Sequence, residues 1–93
     1  MAVFDVRASI AGRVAWVTGG LGGIGRACVQ ALLAHGACVA FTYAEGVESA
    51  AGAADIVATA PTQLSAHALD LRNVASIQQC VAQVRARWGD VHI

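Results

Sequence analysis

A parallel α/β sheet, doubly wound with helices on both faces, is the fold that three observations in this sequence predict. Short apolar runs alternate with stretches of helical periodicity. A glycine-dense turn joins the first apolar run directly to the first helix. The chain is also 57% hydrophobic against 13% charged, with a mean hydropathy of +0.59, the balance of strands buried between helical layers. The order reads β-α-β-α-β-α-β, and right-handed crossovers place the strands in the spatial order 3-2-1-4.

Residues 1–12 are expected as a lead-in ending at Gly12, followed by a first strand over residues 13–17 around Trp16. Apolar positions Ile24, Ala27, Cys28, Ala31, Leu32 and Ala34 recur at steps of three and four and predict a helix over residues 24–35, with Gly36 as its C-cap. Residues 37–43 are short, partly β-branched or aromatic, and predict the second strand. An alanine-rich stretch over residues 45–60 predicts a second helix with Glu48 and Asp55 on its polar side, weakened by Gly52 and stopped before Pro61. Residues 63–69 alternate imperfectly, as an edge strand does, and end at Asp70. Asn73 caps a third helix in which Val74, Ile77, Cys80, Val81, Val84 and Trp88 keep helical spacing until Gly89. Val91, His92 and Ile93 begin a fourth apolar run that falls short of a strand's usual length, so residues 1–93 read as the N-terminal part of one domain, cut within its fourth strand. Such an open edge favours aggregation or marginal folding.

The turn carries five glycines, Gly19, Gly20, Gly22, Gly23 and Gly25. It fits Gly20-x-Gly22-x-x-Gly25, Thr18-Gly19-x-x-x-Gly23-x-Gly25 and Thr18-Gly19-x-x-Gly22-x-x-Gly25 alike. In each register the physics is shared: backbone N–H groups and the positive end of the helix dipole face a pyrophosphate, and missing Cβ atoms let it approach. The motif follows a strand and opens a helix, the context that gives it weight.

Net charge is zero with six scattered basic residues, so neither a nucleic acid nor an anionic membrane surface is an expected partner. Cys28, Cys38 and Cys80 form no CxxC pair, which argues against a disulfide framework or a zinc site and for core packing in a reducing compartment. His35, His67 and His92 have no metal-ligand or triad spacing, and no metal is expected. No apolar run reaches membrane-spanning length and residues 1–10 lack a signal-peptide pattern, so a cytoplasmic location is expected.

Thr18 to Gly25, Asp70-Leu71 and the tail Arg87-Trp88-Gly89-Asp90-Val91-His92-Ile93 resemble the N-terminal part of the short-chain dehydrogenase/reductase family. The resemblance runs from about Gly12 to the last residue and implies a partial Rossmann-type sheet. Its glycine turn looks closest to the acetoacetyl-CoA reductase and 3-oxoacyl-[acyl-carrier-protein] reductase branch. Extended relatives, such as nucleotide-sugar epimerases and dehydratases, share the third register and a stretch similar to Asp70-Leu71-Arg72. The long third helix favours the short single-domain members.

The resemblance implies a nicotinamide dinucleotide as cofactor, held by Gly19, Gly20, Leu21, Gly22, Gly23, Ile24 and Gly25 around the pyrophosphate. Asp70 then meets the adenine amino group and Leu71 supplies an apolar wall; the alternative for Asp70 is an exposed acid stabilised by the third helix. An acid that would hold the adenosine ribose and repel a 2′-phosphate is absent at Thr42 and Tyr43, which favours NADP(H) over NAD(H). A neutral pocket can take the phosphate through the hydroxyls of Thr42 or Tyr43 and backbone amides, while Glu45 is either a ribose contact or a solvated loop acid.

The family's catalytic Ser, Tyr and Lys, and its Asn-Asn-Ala-Gly stretch, fall beyond the fourth strand, so no catalytic residue is expected in these 93 positions. The implied parent is an NADPH-dependent carbonyl reductase acting on a 3-oxoacyl thioester, commonly a homo-oligomer, with this chain inactive alone. The competing expectations are a non-catalytic nucleotide-binding module or a truncated product without function.

Overall fold

A computed structural model describes residues 10–93. Most of the expected lead-in, and with it the reading of residues 1–9 for a targeting sequence, lies outside them. Six elements alternate along the chain: β1 (Val14–Val17), α1 (Gly23–Ala34), β2 (Cys38–Ala44), α2 (Ala50–Ala58), β3 (Leu64–Leu69) and α3 (Val74–Trp88).

The three strands pair in parallel in the order β1-β2-β3, with Val14 opposite Cys38 and Val39 opposite Leu64. This is the 3-2-1 part of the expected sheet, with β3 at an edge. Residues 91–93 are not a regular strand. Ile93 nevertheless donates its N–H to Val14 O at 3.2 Å and accepts from Trp16 N at 2.8 Å, the two bonds of a parallel bridge on the side of β1 away from β2. Residues 92–93 thus lie along β1 on the side expected for a fourth strand.

Strand alternation sorts the core into two layers. Ala15, Val39, Phe41 and Leu64 point to one face, where they meet Val29 of α1 and Ala53 of α2. Ala40 and Leu69 point to the other, against Cys80 and Val84 of α3, with Trp16, Ile77 and Trp88 beside them. Phe41 is fully buried at the centre, and a ring so placed contributes about 2–3 kcal/mol of transfer free energy. On the α3 face, Trp88 Nε1 donates to Ser65 Oγ at 2.7 Å. The Ser65 hydroxyl is then free to donate to His67 Nε2, 2.7 Å away, and His67 Nδ1 lies 3.1 Å from Gln83 Oε1. His67 therefore serves to join β3 to α3.

Three expectations are corrected. Helix α2 begins at Ala50 rather than near residue 45, because Gly46 adopts a left-handed φ of +76° and Ser49 caps the helix by accepting from Gly52 N at 3.0 Å. The inward face of α1 is Gly25, Val29, Leu32 and Leu33, while Ile24, Ala27, Cys28, Ala31 and Ala34 are exposed. Cys28 is consequently not a core residue; Cys80 is, and burial pushes its thiol pKa up. By contrast α3 spans the expected residues, with Asn73 Oδ1 accepting from Ala75 N at 3.0 Å and Ser76 N at 3.4 Å.

Candidate functional site

The chain leaves β1 at Val17 and reverses at Gly19, whose φ of +69° suits a residue without a Cβ. The turn closes when Gly22 N donates to Gly19 O at 3.1 Å. Two of its glycines are demanded by close packing. A Cβ on Gly25 would lie 2.0 Å from Gly19 O, and one on Gly20 would lie 2.6 Å from the buried Phe41 side chain. Gly22 and Gly23 are different: a Cβ on Gly22 would make ordinary contact at 3.5 Å, and one on Gly23 would meet nothing within 4 Å. Their openness leaves room for something outside the fold.

Helix α1 starts on this turn with Gly22 as its N-cap and no side-chain cap bond. Arg26 N donates to Gly22 O at 2.8 Å, whereas the amides of Gly23, Ile24 and Gly25 have no acceptor among the described residues. No acidic residue lies in the first turn. These donors and the helix dipole are an anion-binding arrangement. Ile24, 86% exposed, stands at the helix start, while Leu21 packs against the first core layer.

Beneath the turn, Thr42 O accepts from Gly20 N at 2.9 Å and Thr42 Oγ1 accepts from Gly19 N at 3.3 Å. Thr42 is only 3% exposed, so its hydroxyl shapes the turn from below rather than standing ready for a 2′-phosphate. Tyr43 is half-buried and packs against the first core layer. Glu45 N donates to Leu69 O at 3.2 Å, tying the end of β2 to the end of β3.

Between those strand ends lies a cavity of about 270 Å³ lined by Ala44, Glu45, Val47, Asp70, Leu71 and Arg72, among others. Asp70 Oδ1 accepts from Arg72 N at 3.0 Å and Arg72 Nε at 3.1 Å, and the Arg72 side-chain and backbone hydrogen bonds hold its carboxyl below the usual carboxylate range. Leu71 is 71% exposed. The glycine turn, the end of β2 and the end of β3 therefore form one continuous rim at the carboxyl edge of the sheet, where ligands of open α/β sheets bind. A groove of about 400 Å³ runs between α1 and α2, lined by Leu21 of the turn and by Arg26, Gln30, Asp55 and Thr59.

Two rim residues are new relative to the sequence pattern. Glu48, expected on the polar side of a helix, instead turns back so that Oε1 accepts from Ala44 N at 2.8 Å. Arg72 pairs with Asp70. Gly46 was the available signal for the first, since a left-handed glycine between Ala44 and Glu48 reverses the chain. No helix among the described residues is long and apolar enough to cross a membrane, and no cluster of potential metal ligands occurs among them.

The chain is 40% identical over 82 residues to a sorbitol dehydrogenase of Cereibacter sphaeroides, covering 88% of this chain and 30% of that protein. It is similar in structure to a short-chain dehydrogenase/reductase of Serratia marcescens, with TM-score 0.76 and 39% identity over 88% of this chain and 34% of that one. It is also similar to a blue fluorescent protein from a metagenomic library in complex with NADPH, with TM-score 0.79 and 36% identity over 88% and 34% of the two chains. The N-domain of a bacterial malonyl-CoA reductase with NADP matches with TM-score 0.76 and 32% identity, over 88% of this chain and 16% of that one. The chain thus spans about a third of the length of the first two relatives. The pattern that defines the short chain dehydrogenase family matches residues 13–93, and the chain belongs to that family.

Proposed function

We propose that these residues form the ADP-binding half of a nicotinamide-dinucleotide-dependent carbonyl reductase that uses NADP(H) in preference to NAD(H). The observation that carries this reading is the uncapped start of α1 on a glycine turn, with Gly22 and Gly23 open to solvent. The pyrophosphate takes the amides at the α1 N-terminus, Ile24 flanks it, and the adenine lies by Asp70 and Leu71 at the end of β3. The cofactor, when bound, supplies the hydride. Thr42 and Tyr43 present no carboxylate at the end of β2, and NADP or NADPH is named with two of the similar structures; both favour the phosphorylated cofactor.

The substrate proposed is a 3-oxoacyl thioester such as acetoacetyl-CoA, on the resemblance of the glycine turn to that branch. Similarity to the sorbitol dehydrogenase favours a second reading, a polyol and ketone pair. The residues present hold the cofactor but do not complete a proton-transfer site. The only tyrosine, Tyr43, is at the adenosine end, and all six basic residues are arginines. Turnover therefore needs groups beyond these residues, and the 93-residue chain is proposed to be inactive alone. The parent is proposed to be cytoplasmic and homo-oligomeric.

Calorimetric titration with NADPH tests the binding half: saturable one-site binding is expected, and its absence refutes the reading. A steady-state assay with acetoacetyl-CoA tests the rest. Reduction by the 93 residues alone refutes the division of labour, and tight binding without turnover in the longest natural form of the protein would point to a non-catalytic module.

A further inference from the structure

The two edges of the sheet differ in what covers their backbone. Residues 92–93 lie beside β1, whereas no strand lies beyond β3 among the described residues. Val39 N donates to Gln63 O at 2.7 Å and Glu45 N donates to Leu69 O at 3.2 Å. The odd-numbered residues of β3 therefore turn their polar groups to β2, and the even-numbered ones turn theirs outward. At both ends of the strand the outward amides are used within the chain: Leu64 N donates to Ala60 O at 2.9 Å and Asp70 N donates to Ser76 Oγ at 3.0 Å. Between them, the N–H and C=O groups of Ala66 and Ala68 have no hydrogen-bond partner among the described residues.

Exposed edges are usually blunted by a charge, a proline or a bulge within the strand. The β3 sequence, Leu64-Ser65-Ala66-His67-Ala68-Leu69, holds no acid, lysine, arginine or proline, and its register with β2 is unbroken. Charge stands instead at the two ends. Arg87 lies 3.7 Å from the centre of the Trp88 ring, donates to Pro61 O at 3.4 Å and lines a cavity of about 450 Å³ with Leu64 and Ala66. Glu45, one residue past the pair of Ala44 and Leu69, lines a second cavity of about 290 Å³ with Ala68 and Gln79. Both charged side chains are exposed, and neither has an ion-pair partner among the described residues. Tyr43 and Ala66 border both cavities, so one trough follows the edge from a positive end to a negative end.

We infer that the β3 edge is an interface for a second copy of this chain, paired antiparallel about a two-fold axis at His67. In that register Ala66 lies opposite Ala68 of the second copy, Ala68 lies opposite its Ala66, and each pair exchanges two hydrogen bonds. Every free group of Ala66 and Ala68 is then satisfied, and the ladder stops where Leu64 N and Asp70 N are already engaged. The same axis brings the Arg87 end of each trough to the Glu45 end of the other. A parallel neighbour would set like charge beside like. The edge is thus self-complementary, as a two-fold interface requires. It gives the proposed homo-oligomer an interface built wholly from these residues, and it needs no nucleotide.

Sedimentation velocity of the full chain at concentrations up to about 200 µM tests this pairing. A reversible dimer is expected, weakened about tenfold in R87E and in E45R and restored to within about threefold of native in the E45R/R87E double variant, where opposite charges meet again. A chain that stays monomeric, a dimer indifferent to either single reversal, or a double variant as weak as the singles overturns the interface. Calorimetric binding of NADPH by that same chain would leave the dinucleotide reading standing. Should the variants fail to fold, amide hydrogen exchange in the native chain decides. Slower exchange at Ala66 and Ala68 as concentration rises supports the pairing, and exchange independent of concentration overturns it.

Discussion

Helices α1 and α3 begin in opposite ways. Before α3 stands Asn73, whose Oδ1 accepts from two backbone amides of the first turn. Before α1 stands Gly22, which offers no side chain. An Asn cap is worth about 1 kcal/mol over alanine and a few tenths of a kcal/mol over glycine. The contrast separates two uses of one structural feature: α3 anchors a face of the sheet, whereas α1 forgoes that stability and leaves its donors for an anionic ligand. Both helices bury comparable apolar faces, Val29 against one layer and Cys80 with Val84 against the other, so packing alone does not explain the difference.

The largest effect is expected where the open start depends on its own backbone. G25A puts a methyl group 2.0 Å from Gly19 O, which the turn cannot absorb, and should cost about 3 kcal/mol or more. G23A meets nothing within 4 Å and should leave urea stability unchanged or slightly raised, because alanine favours a helix over glycine. Equal destabilisation by the two would show that the glycines serve the fold alone.

Making the two helix starts alike is the next test. G22D supplies α1 with a capping carboxylate at a position where a Cβ makes only ordinary contact. Stability should rise by a few tenths of a kcal/mol, while NADPH binding weakens by about 100-fold, since the carboxylate takes the donors and repels pyrophosphate. The converse change, N73A, should cost about 1 kcal/mol in thermal or urea unfolding and leave NADPH affinity unaltered. A loss of binding in N73A without loss of stability would end the distinction between the two starts.

The smallest effect concerns the residues that lead into α3. Arg72 lowers the Asp70 pKa chiefly by its side-chain hydrogen bond. A carboxyl whose folded pKa is depressed stabilises the fold above its unfolded value and loses that contribution as pH falls through the folded one. The pair should therefore persist at neutral pH and dissolve only below the ordinary value of 3.8. In R72Q the Asp70 carboxyl should titrate at higher pH by carbon-13 NMR, and an unchanged midpoint would show that the pair does not form in solution.

How far these features could be read from the chain depends on whether their cause is local. Asn73 and Gly89 bracket α3 with cap chemistry that sequence displays directly, and its bounds follow. Helix α1 is legible as a helix but not in its orientation. Apolar residues occupy nearly every position from Ile24 to Ala34, so periodicity marks no single face, and only the packing of Val29, Leu32 and Leu33 against the sheet selects one. The glycine turn is legible as a phosphate site, yet the reason for each glycine is not, because Phe41 meets Gly20 from another strand. Glu48 is legible only as a polar helix residue, because its contact with Ala44 exists only after Gly46 has turned the chain back. Thr42 is legible as a phosphate candidate, an expectation the structure corrects because its hydroxyl, polar in sequence, is enclosed in space beneath Gly19.

The bonds between β1 and residues 92–93 bear on the order in which the sheet assembles. Val14 N donates to His92 Nδ1 at 3.0 Å across a separation of 78 residues, while its pairing with Cys38 needs only one helix to be crossed. The entropy lost on closing a loop grows with the logarithm of its length, so the longer closure costs about 1 kcal/mol more than the shorter one. Contacts of that kind pay late in folding. The β1-β2 pair, sealed by α1 over Phe41, is then the natural nucleus, and the far side of β1 is zipped only once α3 has brought residues 92–93 alongside.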